Sequence, residues 1–369
     1  MELFSKFFRK NVFLGIDVGT SSIKAVEVLF EGQKVQLLNY GSILIRDPSL
    51  DTGDSPTVDV AIRALLREMK IKANRLYISL PGSNGLVALL EFPEMSEKDL
   101  EKAVQFEASK YVPTDMEDVA LSWEVVRKSE SQKERIIPES SLEKEKKEKS
   151  SKKDTQEVLL VAALKNDVAM MSSYFKRAQY QIHAIELESF SLVRSLAGGM
   201  EGDVLVIDIG YNSCNLVLAR DGVVRISRTI DAGGKGITET IADGMNISKS
   251  RADGIKKENE DLFKKKGMPM TFSSLEIILN EAQRIITSYE KKHAHRKINK
   301  IILSGGTSLM RGIEDFFKEK TGRQVFVGNP WKNIEYNPQL EPYMEEMGGS
   351  FSVAVGLALR GVEDYRRGI

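Results

Sequence analysis

The feature that most constrains this chain is an internal echo. Phe13-Leu14-Gly15-Ile16-Asp17-Val18-Gly19-Thr20-Ser21-Ser22 recurs as Val204-Leu205-Val206-Ile207-Asp208-Ile209-Gly210-Tyr211-Asn212-Ser213. Each copy reads as an apolar strand, an Asp-x-Gly, a polar tip ending in Ser, and a second strand. Each return strand reaches a glycine turn, Glu31-Gly32 in the first copy and Asp221-Gly222 in the second. One such unit per half predicts two lobes. The length of 369 residues, roughly twice the common domain size, fits two domains or one bilobed unit.

Between the echoes the pattern alternates hairpins with helices. Residues 24–30 alternate with period two, and 35–45 continue a meander. An amphipathic helix is expected over 57–70, strands over 75–80 and 86–92, and a helix from Ser96 to Tyr111 with Asp99 in the capping-box position. Residues 121–126 and 157–164 read as strands around a segment of different character. Of the thirty residues 127–156, seventeen are charged and none is aromatic. That composition cannot bury enough apolar area to offset chain entropy. A disordered, solvated loop is expected there, tipping a long hairpin as an insertion within a domain.

Beyond the loop, helices are expected over 167–177, from Ser189, and over 236–245, 248–264 and 273–295. Strands are expected at 182–186, 204–209, 301–303 and 325–328, with a helix to Thr321 and a last helix over 349–361. The class is α/β in two lobes.

Composition narrows the function. Lys plus Arg and Asp plus Glu number 53 each, so the formal net charge is zero and nothing global argues for a nucleic-acid partner. The single Cys214 rules out an intramolecular disulfide and fits a reducing compartment. His183, His293 and His295 are the only histidines, and the last two fall on different faces of a helix, so no histidine–cysteine metal cage is expected. No stretch approaches the roughly 20 apolar residues of a membrane span, and the first eleven residues lack the marks of a signal peptide. A cytoplasmic chain is expected. In residues 1–11, Leu3, Phe4, Phe7 and Phe8 share a helical face beside Lys6, Arg9 and Lys10. The plainer reading is a short helix packed on its own domain; the sharper one is a peripheral membrane or partner contact.

The chemistry of the echo is phosphate and metal binding. Gly19 and Gly210 leave no side chain in the way of phosphate oxygens. Thr20, Ser21, Ser22, Asn212 and Ser213 add side-chain donors at the tips, and Lys24 adds a cation. Asp17 and Asp208, at strand ends, are hard oxygen ligands suited to Mg²⁺ held largely through its waters. Two such hairpins facing each other would clamp one polyphosphate. A third element, Ser304-Gly305-Gly306-Thr307-Ser308, ends an apolar strand before a helix and offers bare backbone to a flat ring or phosphate. Gly233 and Gly234 make a further glycine turn. Asp253, Lys256 and Lys257 share a helical face and suit a ribose and phosphates, although a solvated charged face is the commoner meaning of such a triplet. Other phosphate schemes fail: Gly233-Gly234-Lys235-Gly236 lacks the upstream Gly and the following Ser or Thr of a P-loop, and no G-x-G-x-x-G follows a strand.

This order of two phosphate hairpins and an S-G-G-T-S turn resembles the actin-like ATPase superfamily. Within it, LGIDVGTSSIKAVEV, YISLPGS, FPEMSEKDLEKAVQFEASKYVP, VLLVAALKNDV and ESFSLVRSL resemble the PilM family of type IV pilus assembly proteins. The resemblance covers nearly the whole chain and is specific in its first two hundred residues. It implies an actin-like two-lobed fold with a first lobe over 1–200 carrying a small α+β subdomain over about 83–165. A second lobe would span 201–345 with a helical subdomain over about 240–296, and a C-terminal helix over 346–369 would return to the first lobe. It also implies Mg-ATP between the lobes, with Gly233 and Gly234 at its phosphates and Asp253, Lys256, Lys257, Gly305, Gly306, Thr307 and Ser308 around its adenosine. Glu188 stands where relatives carry the acid that orients the attacking water. The implied partners are the N-terminal cytoplasmic tail of an inner-membrane PilN-like protein, whose groove no residue here identifies, and other pilus assembly components. The second hairpin departs from the family in its bulky Tyr211 and Asn212, and the charged loop is long.

Rival readings within the superfamily are a sugar or polyphosphate kinase and a filament-forming cytoskeletal ATPase. The cell-division relative FtsA would add an amphipathic membrane helix after a linker, and GspL-like secretion proteins a membrane span; neither is expected in this sequence. The reading we carry forward is a cytoplasmic ATP-binding scaffold of pilus assembly, at most a slow ATPase, reaching the inner membrane through its partner.

Overall fold

In the computed structural model, which describes residues 11–45, 57–112, 114–128, 155–258, 261–264, 270–293 and 295–369, the first echo is a strand buried at every position, β1 (Val12–Val18). It turns into β2 (Ser22–Glu31), which pairs with it antiparallel, and β3 (Lys34–Leu44) completes the meander. The period-two reading of 24–30 gives way to burial on both faces of β2, because helices cover this sheet. Helix α1 (Val58–Glu68) sets Ala61, Ile62, Leu65 and Leu66 inward, and β4 (Arg75–Leu80) then lies parallel to β1.

Residues 85–166 form a compact unit of their own. Its strands are β5 (Gly85–Pro93), β6 (Val119–Lys128) and β7 (Thr155–Leu164), in the order β5-β7-β6 with both pairings antiparallel. Helix α2 (Glu97–Ala108) begins where expected: Ser96 Oγ accepts from Asp99 N at 3.2 Å and donates to the Asp99 carboxylate at 2.6 Å. Leu90, Phe92, Leu100, Val104, Ala108, Val158 and Leu160 make its core. β6 and β7 run further than expected, claiming residues 127–128 and 155–156 from the charged segment, because Lys128 still pairs with Gln156. The rest of that segment, 129–154, lies outside the described residues, as do the apolar positions Leu3, Phe4, Phe7 and Phe8.

Residues 1–84 and 167–369 belong to the other unit. Helix α3 (Lys165–Arg177) leads to β8 (Ile182–Leu187), which closes a five-stranded sheet in the order β3-β2-β1-β4-β8. The helix expected from Ser189 starts at Glu188 as α4 (Glu188–Leu192) and continues as a π-helical turn, Val193–Ala197. The second echo then builds β9 (Asp203–Ile209), β10 (Cys214–Arg220) and β11 (Val223–Ile230). Helices α5 (Gly234–Met245), α6 (Lys249–Lys257) and α7 (Ser273–Lys292) follow; α6 ends seven residues before the expected limit of 264. After them come β12 (Lys300–Ser304), α8 (Ile313–Thr321), β13 (Gln324–Val327), α9 (Glu341–Met347) and α10 (Ser352–Arg367).

The second sheet runs β11-β10-β9-β12-β13, with the same antiparallel and parallel relations as the first. The echo is therefore a repeat of topology as well as of sequence. Its core packs Leu205, Ile207, Leu216 and Leu218 against Ile237 and Ile241 of α5 and Leu275, Ile278 and Ile285 of α7.

Helix α10 lies on β1, β2 and β4 of the first sheet. The approach is backbone against backbone: a Cβ on Gly15 would sit 2.1 Å from Ala354 O, and one on Gly356 would sit 2.0 Å from Ser191 O. Beside this contact, buried Glu186 receives Arg194 Nη1 at 2.6 Å and Arg360 Nη1 at 2.7 Å, tying β8, the π-turn and α10 together. Burial alone would raise the Glu186 pKa, but the two guanidiniums hold it below the ordinary carboxylate value. Among the described residues no helix is long and apolar enough to cross a membrane.

Candidate functional site

The two hairpin tips are superimposable in their hydrogen bonding. Gly19 N donates to Ser22 O at 3.1 Å, and Gly210 N donates to Ser213 O at 3.0 Å. A Cβ on either glycine would lie 3.0 Å from that same serine carbonyl. The glycine N–H groups thus close their own turns, so Gly19 and Gly210 supply close approach rather than donors. Thr20 and Asn212 are exposed at the tips, Ser21 and Ser213 are partly buried, and Ser22 is buried at the start of β2. Tyr211 and Asn212 form the tip of the second turn, where the carbonyl of Tyr211 accepts from Lys235 N at 2.8 Å.

Antiparallel register then decides what faces each aspartate. Lys24 stands opposite Asp17, and Asn215 stands opposite Asp208. Lys24 was legible in the sequence, while its counterpart Asn215 was missed, although the same count along the echo would have found it. Ser79 Oγ on β4 donates to Asp17 at 3.0 Å, and Ser304 on β12 is in register with Asp208.

Glu188 joins these two aspartates. Its Oε2 accepts from Asn215 Nδ2 at 2.7 Å and lies 3.4 Å from the N–H of Gly82. Burial, reinforced by Asp17 and Asp208, pushes Glu188 up to about 8. Asp208 is pushed up to about 6 by burial, against the Ser304 side chain, while Asp17 raises it further. Burial also raises Asp17, with Lys24 and Ser79 opposing. Three carboxylates that disfavour one another's ionisation make a region that a cation would stabilise. Among the described residues no group of three or more His, Cys, Asp or Glu side chains converges to hold a metal directly. The donor set suits a hard cation that keeps most of its water, as Mg²⁺ does. Ser189 Oγ, next in sequence to Glu188, is buried without a hydrogen-bond partner.

The remaining glycine turns gather on the second hairpin. Gly234 N donates to Gly210 O at 2.9 Å, and a Cβ on Gly233 would lie 2.6 Å from Tyr211 O. A Cβ on Gly234 would meet Thr307 Oγ1 at 2.6 Å. Gly305 has φ 84° and no room for a side chain, since a Cβ there would lie 2.3 Å from Ile209 O. Gly306 is exposed with open space around it, Thr307 is buried, and Ser308 Oγ donates to Gly305 O at 2.7 Å. The element directly after Gly305 is a 3₁₀ turn, Gly306–Leu309, and the helix expected to run to Thr321 follows it as α8 from Ile313.

The charged triplet of α6 separates. Lys256 is buried and reaches Gly234 O at 3.2 Å, Thr238 Oγ1 at 2.9 Å and Asp253 at 2.9 Å, and burial lowers its pKa against the pull of Asp253. Lys257 is exposed and pairs with Asp253 at 2.6 Å. Packing against α5 turns one lysine inward and leaves the next in water. The structure thus gathers Asp17, Lys24, Asp208 and Glu188 in one acidic group, and Gly210, Gly233, Gly234, Gly305, Thr307 and Lys256 in an adjoining group of glycine turns. Sequence reasoning missed Ser79, Gly82 and Asn215, and quoted Ser304 only as part of the Ser304–Ser308 turn, without its place in register with Asp208.

The profile of the family described as Type IV pilus assembly protein PilM matches residues 15–362. A solved PilM-PilN type IV pilus biogenesis complex is 25% identical, covers 95% of this chain and 98% of its own, and has a TM-score of 0.72. The ethanolamine utilization protein EutJ from Carboxydothermus hydrogenoformans shares the fold at 13% identity and a TM-score of 0.50, covering 94% of this chain and 89% of its own. Cell division protein FtsA of Streptococcus pneumoniae serotype 2 is 20% identical over 354 residues, 86% of this chain and 75% of that protein. The mixed α/β architecture is the actin-like ATPase fold.

Proposed function

The chain belongs to the type IV pilus assembly protein PilM family, and from that premise we propose that it is an ATP-binding scaffold that takes the cytoplasmic N-terminal tail of an inner-membrane PilN-like protein in a nucleotide-dependent way. The observation that carries the nucleotide part is the matched pair of hairpin tips, one per sheet, each with a glycine turn beside a strand-end aspartate. Residues 19–22 and 210–213 would hold the phosphates, with Lys24 supplying positive charge. Asp17 and Asp208 would hold Mg²⁺ through water, and bound Mg²⁺ would neutralise phosphate charge. Gly233 and Gly234 would join the phosphate site, and Lys256 and Gly305–Ser308 would line the adenosine, with Asp253 and Lys257 at its solvent edge. Glu188 would orient a water, and turnover would be slow at most.

A PilN-like partner is supported by the relative solved as a PilM-PilN complex. Through that partner the chain would work at the cytoplasmic face of the inner membrane with other pilus assembly components. Nucleotide can gate the tail only by binding one conformation better than another. The test is calorimetry of Mg-ATP, repeated with a peptide from the N-terminal tail of the membrane partner. Binding of both, with affinities that depend on each other, is expected. ATP binding with no peptide binding at any nucleotide state moves the kinase or filament readings ahead. Failure of Mg-ATP to bind removes the phosphate assignment itself.

A further inference from the structure

The amide of Asn215 stands between carboxylates of the two halves. Its Oδ1 accepts from Thr229 Oγ1 at 2.7 Å, and the two residues are in register on β10 and β11. With Oδ1 taken by the Thr229 hydroxyl, Nδ2 is presented on the other side. There Nδ2 donates to Glu188 Oε2 at 2.7 Å, and Asn215 on β10 stands in register with Asp208 on the neighbouring strand β9. Gly82 packs on the same two side chains. A Cβ at Gly82 would lie 2.5 Å from both Asn215 Oδ1 and Thr229 Oγ1, and its N–H approaches the same Glu188 Oε2. Both donors converge on one carboxylate oxygen, Oε2.

We propose that Asn215, oriented by Thr229, is a positioning residue that clamps Glu188 by Oε2 to the second half and so presents Oε1 to hold a water. The inference rests on the nucleotide reading given above. Its physical basis is geometry: the Asn215 amide and the Gly82 N–H meet on one oxygen, Oε2, which fixes the Glu188 rotamer and leaves Oε1 outside both contacts. Thr229 acts only through the amide: it settles the direction of the Asn215 dipole. Without that hydroxyl Oδ1 loses its donor, and the amide is free to turn Nδ2 away from Glu188.

The test uses the full chain and the variants Thr229→Val, Thr229→Ser, Glu188→Gln and Thr229→Val/Glu188→Gln. Mg-ATP affinity is measured by calorimetry, single-turnover hydrolysis with radiolabelled ATP, and Tm in the absence of nucleotide. In Thr229→Val, hydrolysis is expected to fall by roughly tenfold to a hundredfold with affinity changed by less than about twofold, as for a reacting group displaced without loss of binding. Thr229→Ser, which keeps the hydroxyl, restores the rate. The Tm shifts of Thr229→Val and Glu188→Gln are expected not to add, since both act on one chain of contacts. Wild-type hydrolysis in Thr229→Val, or additive Tm shifts, overturns the proposal. If the Tm shifts of the variants do not add but the wild-type protein binds no Mg-ATP, the nucleotide reading fails; the contact between Asn215 and Glu188 then stands, and its water-presenting role is overturned.

Discussion

Asn215 Nδ2 and Glu188 Oε2, 2.7 Å apart, join a strand of the second sheet to the helix that follows the first. The bond puts a neutral donor inside a group of three acids, Asp17, Asp208 and Glu188. Lys24 occupies the corresponding place opposite Asp17 in the first hairpin. The repeat has therefore kept its geometry and diverged in charge.

Replacing Asp17 or Asp208 by Ala should abolish the Mg²⁺-dependent part of ATP binding and leave the fold intact. Calorimetry with and without Mg²⁺, together with far-UV circular dichroism, checks this. Tight Mg-ATP binding in both variants would sink the metal assignment.

Glu186 and Glu188, two residues apart, should give opposite pH signatures. The Glu188 pKa is raised from 4.5 to about 8, so the folded state retains a proton that the unfolded state releases. Stability is therefore lost as pH rises from 4.5 to about 8, and Glu188→Gln should flatten that decline in part, with Asp208 and Asp17 contributing the remainder. The Glu186 pKa is lowered from 4.5, so its stabilisation is present above 4.5 and lost below it. Glu186→Gln should lower stability near neutrality and remove that acid-side loss. Thermal melts of the nucleotide-free protein across this range read both effects.

Arg194→Ala should destabilise by about 3–5 kcal/mol, because it leaves Glu186 buried with one of its two guanidiniums gone. The side chains involved are only 17% and 5% exposed, so solvent screening is small. Urea denaturation gives the value; a loss below about 1 kcal/mol would mean that Arg360 alone suffices.

Two glycine-to-alanine changes should differ in sign. Gly356→Ala places a methyl 2.0 Å from Ser191 O, where backbone must move, and should cost about 3 kcal/mol or more. Gly254→Ala, in α6 with nothing within 4 Å, should stabilise by roughly 0.5–1 kcal/mol. Equal urea midpoints for the two variants would refute the close packing of α10.

The hairpins, their aspartates and glycines, and the α/β class were legible because they are local. Period, turn chemistry and a repeated motif are properties of ten consecutive residues, and the capping of α2 by Ser96 is of the same kind. The extent of β6 and β7 was misjudged for a related reason: composition marked 127–156 as solvated, yet pairing between Lys128 and Gln156 extends the ladder past the change in composition.

What escaped the sequence depends on which distant segments meet. Ser79 reaches Asp17 across 62 residues, and Asn215 reaches Glu188 across 27. Neither follows from periodicity, since each requires a strand order and a register that the whole sheet sets. Lys256 and Lys257 are equivalent in sequence, and only the rotation of α6 against α5 buries one and exposes the other. Gly15 reads as part of a phosphate motif, yet its lack of a side chain answers to Ala354 of α10. Local order follows from the backbone preferences of neighbouring residues, whereas the acids acquire their shared environment only when long-range packing excludes water from around them.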